Sequence, residues 1–331
     1  MTSIAIIGAG LSGLTVANQL KNRAKITLFE KSRGVSGRMS TRRAEPYFFD
    51  HGAQFFKVRT KAFQAFVVPM IEAGIIARWD ARFVEFVDGA ITQKRQWDKD
   101  NPHYVGVPGM NALAKHLSRE LTVHCGIRVH RITQHRGKWR LHDEQNQLLG
   151  DFDWVISSLP AEQAATLLPS FLAFYQYVKS VHMKACFSLM LGFEHDLALD
   201  FDAALVRGDD ISWISVNNSK PGRKVDGGCL LVHSTNHWAN AHIDDDRSDV
   251  LDYLCQQTSH LIAHDVSLAN HKVVHGWRYA NMDKQHGATH LIDQEARIGV
   301  CGDWLIQGRV EAAFTSGYEL GNHLLGILKY D

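Results

Sequence analysis

Ile4-Ala5-Ile6-Ile7 runs into Gly8-Ala9-Gly10-Leu11-Ser12-Gly13, and from there into a segment whose apolar residues Leu11, Leu14, Ala17 and Leu20 keep helical spacing. A buried strand, a glycine turn and a helix in that order make a seat for a dinucleotide. Gly8 allows the tight turn, Gly10 lets the backbone approach a pyrophosphate, and Gly13 lets helix and strand pack closely. The pyrophosphate rests on the amides and positive dipole end of the helix, where Leu11 and Ser12 stand. A second strand, Lys25-Ile26-Thr27-Leu28-Phe29, ends on Glu30. An acid at that spacing hydrogen-bonds a ribose diol and repels a 2′-phosphate.

Beyond Glu30 the chain reads Lys31-Ser32-Arg33-Gly34-Val35-Ser36-Gly37-Arg38-Met39-Ser40-Thr41. This stretch resembles the E-x-x-x-x-x-G-G-R-x-x-T loop of the flavin amine oxidase superfamily, in which the arginine contacts the FAD pyrophosphate. Arg38 matches the arginine and Gly37 the second glycine. Ser36 replaces the first glycine, a change that is tolerable provided position 36 needs no positive φ. Gly302-Asp303 matches the superfamily's Gly-Asp pair. A carboxylate there accepts a ribityl hydroxyl, and the helix that follows aims its N-terminal dipole at the flavin.

Further blocks are similar to those of bacterial renalases: Asp50-His51-Gly52-Ala53-Gln54-Phe55-Phe56, Val107-Pro108-Gly109-Met110, Asp210-Ile211-Ser212-Trp213, Ser219-Lys220-Pro221-Gly222-Arg223, Trp277-Arg278-Tyr279-Ala280, and Cys301-Gly302-Asp303-Trp304 with Gly308-Arg309-Val310-Glu311. The resemblance implies an FAD-dependent oxidase that takes a hydride from the 2- and 6-dihydro isomers of NAD(P) and passes the electrons to dioxygen, giving hydrogen peroxide. It also implies a non-covalent FAD, with Cys301 left as a thiol. The implied FAD contacts extend to Lys31, Met39, His51, Gly52, Ala53, Gln54, Val129, Arg309 and Val310. The substrate side falls to His51, Gln54, Trp213, Trp277 and Tyr279, with Trp304 and Arg309 near the flavin. Arg278 and Arg309 are each read either as a ligand of the substrate pyrophosphate or as a surface ion pair. Loss of hydride from a dihydropyridine leaves an aromatic cation, so no proton need be abstracted and orientation carries the catalysis. Two other readings stay open: a flavin amine oxidase or desaturase of a hydrophobic small molecule, and a flavin-binding redox sensor without turnover.

The elements that must position these residues fall into two textures. Strand–turn–helix patterns at residues 3–42, 106–160 and 297–328 predict a discontinuous Rossmann-like FAD-binding domain. Its expected segments are 1–57, 104–163 and 293–331, and the fold class is α/β. Between them, a helix at 60–75 and short strands at 76–79, 82–86, 185–193, 210–216 and 228–235 predict an inserted antiparallel-sheet α+β substrate domain over 58–103 and 164–292. Asp244-Asp245-Asp246 caps a helix carrying Val250, Leu254 and Leu261. A net charge of +1 gives no basic excess for nucleic acid, and no apolar run approaches a membrane span. The N-terminus lacks the pattern of a signal peptide. Five dispersed cysteines suit a reducing cytoplasm rather than a disulfide framework, and nineteen scattered histidines match no metal signature.

Overall fold

The computed structural model describes residues 1–223 and 227–328. The chain divides into two compact units, one made of Met1–Arg38, Ala114–Met183 and Met282–Asp331, the other of Met39–Leu113 and Lys184–Asn281. Residues 39–57 and 104–113, expected with the dinucleotide segments, therefore pack in the second unit, and 164–183 and 282–292, expected with the substrate domain, in the first.

The first unit is built on a six-stranded sheet in the order Leu291–Asp293, Ile298–Val300, Trp154–Ser157, Ser3–Ile7, Lys25–Glu30, Thr122–Cys125. All neighbours run parallel except the Leu291–Asp293 edge. Parallel strands are covered on both faces, which is why Ile4 to Ile7 and Trp154 to Ser157 are buried throughout. Helices Leu11–Leu20 and Val310–Ile327 close the core through Leu14, Leu20, Leu320 and Leu324 against Ile4, Ile6, Leu28 and Ile156. The two helices are tied where Ser12 Oγ donates to the Ala313 carbonyl at 2.6 Å. A three-stranded antiparallel sheet, Val129–His135, Lys138–Asp143 and Leu148–Phe152, completes this unit's strands. Phe152 from it meets Phe29 edge-on at 5.9 Å.

The second unit carries a seven-stranded sheet ordered His271–Asn281, Lys184–Phe193, Gly228–Ser234, Ile211–Val216, Ala203–Arg207, Arg82–Val87, Ala90–Gln96. It is antiparallel apart from one parallel neighbour pair, Ala203–Arg207 beside Arg82–Val87. Side chains alternate across it. Phe187, Leu189, Leu191, Ile214, Leu230 and Val232 face helices Asn236–His242 and Arg247–Ile262, packing on Trp238, Val250 and Leu254. Ser188, Met190, Leu231, His233, Trp213 and Ser215 point the other way. The helix over Lys61–Glu72 is capped by Thr60, and Asp246 caps Arg247–Ile262 by accepting from the Ser248 amide. Two of the strands that sequence patterning misses lie in this sheet and show why. His271–Asn281 is an edge strand, half-exposed along most of its length, so it lacks a clean apolar alternation. Ala203–Arg207 is short and buried, and its apolar run has no period to read.

The glycine turn folds as its residues dictate. Gly8 takes φ +103°, and a Cβ at Gly13 would come within 2.3 Å of the Gly8 carbonyl oxygen. One condition set by the sequence fails. Ser36 adopts φ +118°, so position 36 does need the conformation that glycine holds without cost. Ser36 is held there because its amide donates to the Ala9 carbonyl at 3.0 Å, pinning the loop to the turn. Strain of this kind costs about 1–3 kcal/mol, more than the chain-entropy cost of an added glycine. Ser36→Gly should therefore raise stability by about 1 kcal/mol, read as a higher urea midpoint at unchanged slope.

Candidate functional site

In the first unit, helix Leu11–Leu20 begins without a side-chain cap and without an acid in its first turn. Its leading amides and its dipole are thereby left to an external anion. A Cβ placed at Gly10 would meet nothing within 4 Å, so the approach to those amides is open. Glu30 is buried beside the turn, where Oε2 accepts from the Ala9 amide at 2.9 Å and Oε1 from the Ser32 amide at 2.8 Å. Each oxygen retains a lone pair for a hydroxyl. Arg38 and Asp303, 265 residues apart, form a bidentate pair, with Nη1 on Oδ2 at 2.9 Å and Nη2 on Oδ1. Open amides for a pyrophosphate, an acid for a ribose and a guanidinium for phosphate charge together fit the adenine and phosphate parts of FAD. Lys31 Nζ donates to Gln163 Oε1 at 3.3 Å, and Val129 is buried at the start of its strand. Arg309 is the exposed N-cap of Val310–Ile327. Trp304 is fully buried with its indole N–H on the Leu159 carbonyl at 3.0 Å, a packing role rather than a ligand-facing one. Buried in an apolar core, the Cys301 thiol is pushed far above the ordinary range and stays neutral.

In the second unit, residues 47–56 lie across the polar face of the seven-stranded sheet. Phe49 stacks on His271 at 5.5 Å, and Phe55 sits 5.5 Å from Trp213. The carbonyl of His51 is held by two strands at once: Ser188 Oγ donates to it at 2.6 Å and Trp277 Nε1 at 2.8 Å. Gln54 is fixed at both ends of its amide, donating to the Asp50 carbonyl and accepting from Ser215 Oγ at 2.8 Å and Lys220 Nζ at 3.0 Å.

A buried charge cluster anchors this segment. Asp50 Oδ2 accepts from Arg223 Nη2 at 2.7 Å and Nε at 3.1 Å, and Oδ1 accepts from Thr41 Oγ1 at 2.7 Å and the Met110 amide at 2.9 Å. Lys220 Nζ lies 3.5 Å from the same carboxylate and donates to Asn217 Oδ1 at 3.2 Å. All three charged side chains are at most 1% exposed. Burial alone would raise the Asp50 pKa, yet Lys220, Arg223 and the hydrogen bonds hold it below the usual carboxylate value. Burial, only partly offset by Asp50, pulls Lys220 down to about 8.

The imidazole of His51 stacks on Trp277 at 5.1 Å and meets His275 edge-on at 5.2 Å. Burial, then the neighbouring His275 and Arg42, lower its pKa to about 3. Burial lowers His233 to about 4, and burial together with Lys57 does the same for His103. These rings are neutral at physiological pH and poor proton acceptors.

The residues read from sequence thus divide. Gly8, Gly10, Leu11, Ser12, Gly13, Glu30, Lys31, Gly37, Arg38, Val129, Gly302, Asp303, Arg309 and Val310 lie in the first unit, and Met39, His51, Gly52, Ala53, Gln54, Trp213, Trp277 and Tyr279 in the second. Ser12 spends its hydroxyl on helix packing. Arg278 pairs with Asp244 on the surface, both exposed. Lys220, Arg223, Ser188, Ser215 and His233 were not singled out by sequence as site residues. Only the Asp50 and Ser219–Arg223 blocks hinted at them. Among the described residues no three metal-binding side chains cluster, no helix is long and apolar enough to cross a membrane, and all five cysteines are free.

Residues 6–68 match the model of the NAD(P)-binding Rossmann-like domain. Residues 88–320, more than two thirds of the chain, match that of the flavin containing amine oxidoreductases. A 4,4′-diapophytoene desaturase (4,4′-diaponeurosporene-forming) of Staphylococcus haemolyticus is 31% identical over 86 residues, which are 26% of this chain and 15% of that protein. The chain is similar in fold to a protein provisionally assigned as a protoporphyrinogen oxidase from Exiguobacterium sp. 255-15, with TM-score 0.75, 11% identity and 98% of each chain covered. It is also similar to putrescine oxidase bound to putrescine, with TM-score 0.69, 10% identity, and 98% and 99% of the two chains covered.

Two predictions follow from the electrostatics. Asp50→Asn leaves Lys220 and Arg223 buried without a counter-charge and should cost about 3–5 kcal/mol, read from urea unfolding at pH 7.5. The neutral imidazoles make the folded chain bind fewer protons than the unfolded chain below pH 6.5, so stability is complete above that value and falls as pH drops toward 4. For His51 and His103 the loss over that range is on the order of 2 kcal/mol each. His103→Asn should flatten the decline of the urea midpoint, and an unchanged profile would mean the ring is protonated in the fold.

Proposed function

Because the chain belongs to the flavin containing amine oxidoreductases and binds FAD, we propose that it oxidises the 2- and 6-dihydro isomers of NAD(P). The balance is one dihydronicotinamide, one dioxygen and one proton giving NAD(P)⁺ and hydrogen peroxide. When bound, FAD supplies the two-electron acceptor that receives the hydride and hands the electrons to dioxygen. Gly10, Leu11, Glu30, Arg38 and Asp303 hold that cofactor without a covalent link, in the first unit. The second unit, which is the substrate domain in this reading, orients the substrate.

The observation that carries the reading is the neutral aromatic face of the second unit. His51 and Trp277 are stacked, His51 is held by two strands through its backbone carbonyl, and its ring has an affinity for protons far below that of an ordinary histidine. Such a surface aligns a planar ring and keeps water away from it, but it offers no base of ordinary strength. Hydride loss from a dihydropyridine needs none. Gln54 is immobilised by Ser215 and Lys220 and keeps the segment in register. Tyr279 extends the same edge strand as Trp277. The reading places the enzyme in the cytoplasm, where nicotinamide dinucleotides are abundant.

A second reading is an oxidase or desaturase of a hydrophobic small molecule, favoured by the local match to the diapophytoene desaturase. It lacks a use for the charged rim described below. Anaerobic mixing of the purified yellow protein with 6-dihydro-NAD and, separately, with benzylamine decides between them. The dihydronucleotide is expected to bleach the flavin absorbance within the mixing experiment and the amine to leave it. Bleaching by the amine alone would sink the proposal.

A further inference from the structure

Away from His51, the second unit holds an aromatic wall that the proposed hydride step does not use. Trp97 and His103 stack at 3.6 Å with their planes 8° apart. Phe55 approaches both, at 5.1 Å and 4.9 Å, and Phe83 stacks on Trp97 at 5.3 Å. Trp213 closes the group 6.3 Å from Trp97. Phe55 and Trp213 are its half-exposed members. Two polar atoms in this wall, Trp213 Nε1 and His103 Nδ1, are buried and make no hydrogen bond. Buried polar groups without partners are rare enough to need an explanation.

A cationic rim borders the wall. Arg95 lies over the Phe83 ring at 4.8 Å with half its side chain exposed. Lys57 follows Phe55 by two residues, is half-buried, and donates to Asn101 Oδ1 at 2.9 Å. After burial, the charges that bear on Lys57 are those of Arg59 and Arg95, both positive, and Lys57 and Arg95 both act on His103. The nearby acids are engaged elsewhere. Glu85 binds Arg207 at 2.5 Å and reaches Arg95 only at 4.0 Å, and Asp98 accepts from the Asp100 and Asn101 amides. Mutually repelling cations beside flat aromatic surface fit an anion joined to a planar base.

We propose that Lys57 and Arg95, with the Phe55–Trp213 wall, form a subsite for the pyrophosphate and adenine end of a dinucleotide. This rests on the dihydronicotinamide reading and gives its specificity a location: the phosphates meet the rim and the base meets the rings. Losing a charge-assisted phosphate contact weakens binding on the order of tenfold.

The test has two arms. In the first, ADP-ribose is titrated into the oxidised holoenzyme while tryptophan emission is followed, since Trp97 and Trp213 are in the wall. Saturable quenching is expected, with Kd raised on the order of tenfold in Lys57→Met/Arg95→Met, raised by added salt, and largely restored in Lys57→Arg/Arg95→Lys. In the second, the ratio of kcat/KM for 6-dihydro-NAD to that for 6-dihydronicotinamide riboside is compared between wild type and Lys57→Met/Arg95→Met. A fall in the ratio on the order of tenfold is expected. Equal Kd for ADP-ribose in wild type and the double Met variant, or equal loss on both substrates, would overturn the subsite. If ADP-ribose binds through the rim but neither dihydro compound reduces the flavin, the oxidase reading fails and the subsite stands.

Discussion

A carboxylate buried between two cations is the constraint on which the second unit depends. Three charges removed from water cost several kcal/mol each, and they persist only where every lone pair and proton is engaged. Asp50 meets that condition through Thr41, Met110 and Arg223, while Lys220 divides its donors among Asp50, Gln54 and Asn217. These partners come from four separate stretches of chain. The cluster therefore forms in one arrangement, and that arrangement sets the path of residues 47–56 over the sheet. Tyr47 and Phe49 of the same segment are buried against Met190 and Leu231, so apolar burial and the ion cluster hold it together.

What the anchor makes possible is seen at His51. Once the segment is in register, a single peptide carbonyl collects bonds from Ser188 and Trp277 on two strands. The ring that this backbone carries is itself packed, stacked on Trp277 and edge-on to His275, with Nε2 3.4 Å from Ser40 Oγ. The same burial that orders it removes its basicity. Rigidity and low proton affinity are thus one property, and both follow from excluding water. In the first unit the logic is reversed, because the helix terminus, the glycine turn and Glu30 keep donors and acceptors available to a ligand.

How far this could be read from sequence follows the range of the interactions. The strand, turn, helix and acid of residues 4–30 were legible because each part is local and each residue type has one steric or electrostatic reason to be there. Helix Arg247–Ile262 was legible for the same reason, through Asp246 and its apolar spacing. The ion cluster was not, since Asp50 and Arg223 are 173 residues apart and separately look like surface charges. The pairing of Arg38 with Asp303 was likewise hidden, although each residue had been singled out. Ser36 shows a third kind of limit. A serine in a glycine position reads as a relaxed variant of the motif, and only the backbone φ reveals the strain. Trp304 and Trp277 look alike in sequence, yet one is sealed in the first unit and the other serves the polar face.

The charge pattern of the second unit bears on what can bind there. Its buried cluster sets one carboxylate between two cations, and the imidazoles of His51, His103 and His233 are neutral. Further positive charge stands at Lys57, which donates to Asn101, and at Arg95, which reaches Glu85 at 4.0 Å. A cationic amine would be repelled by that rim, and a hydrocarbon would leave it idle while still losing water from two cations. A molecule whose reacting ring is flat and uncharged, and whose negative charge is carried at a distance on phosphates, meets both surfaces without either penalty. An aromatic face flanked by a positive rim is therefore the feature on which the proposed preference for a dihydronicotinamide dinucleotide rests.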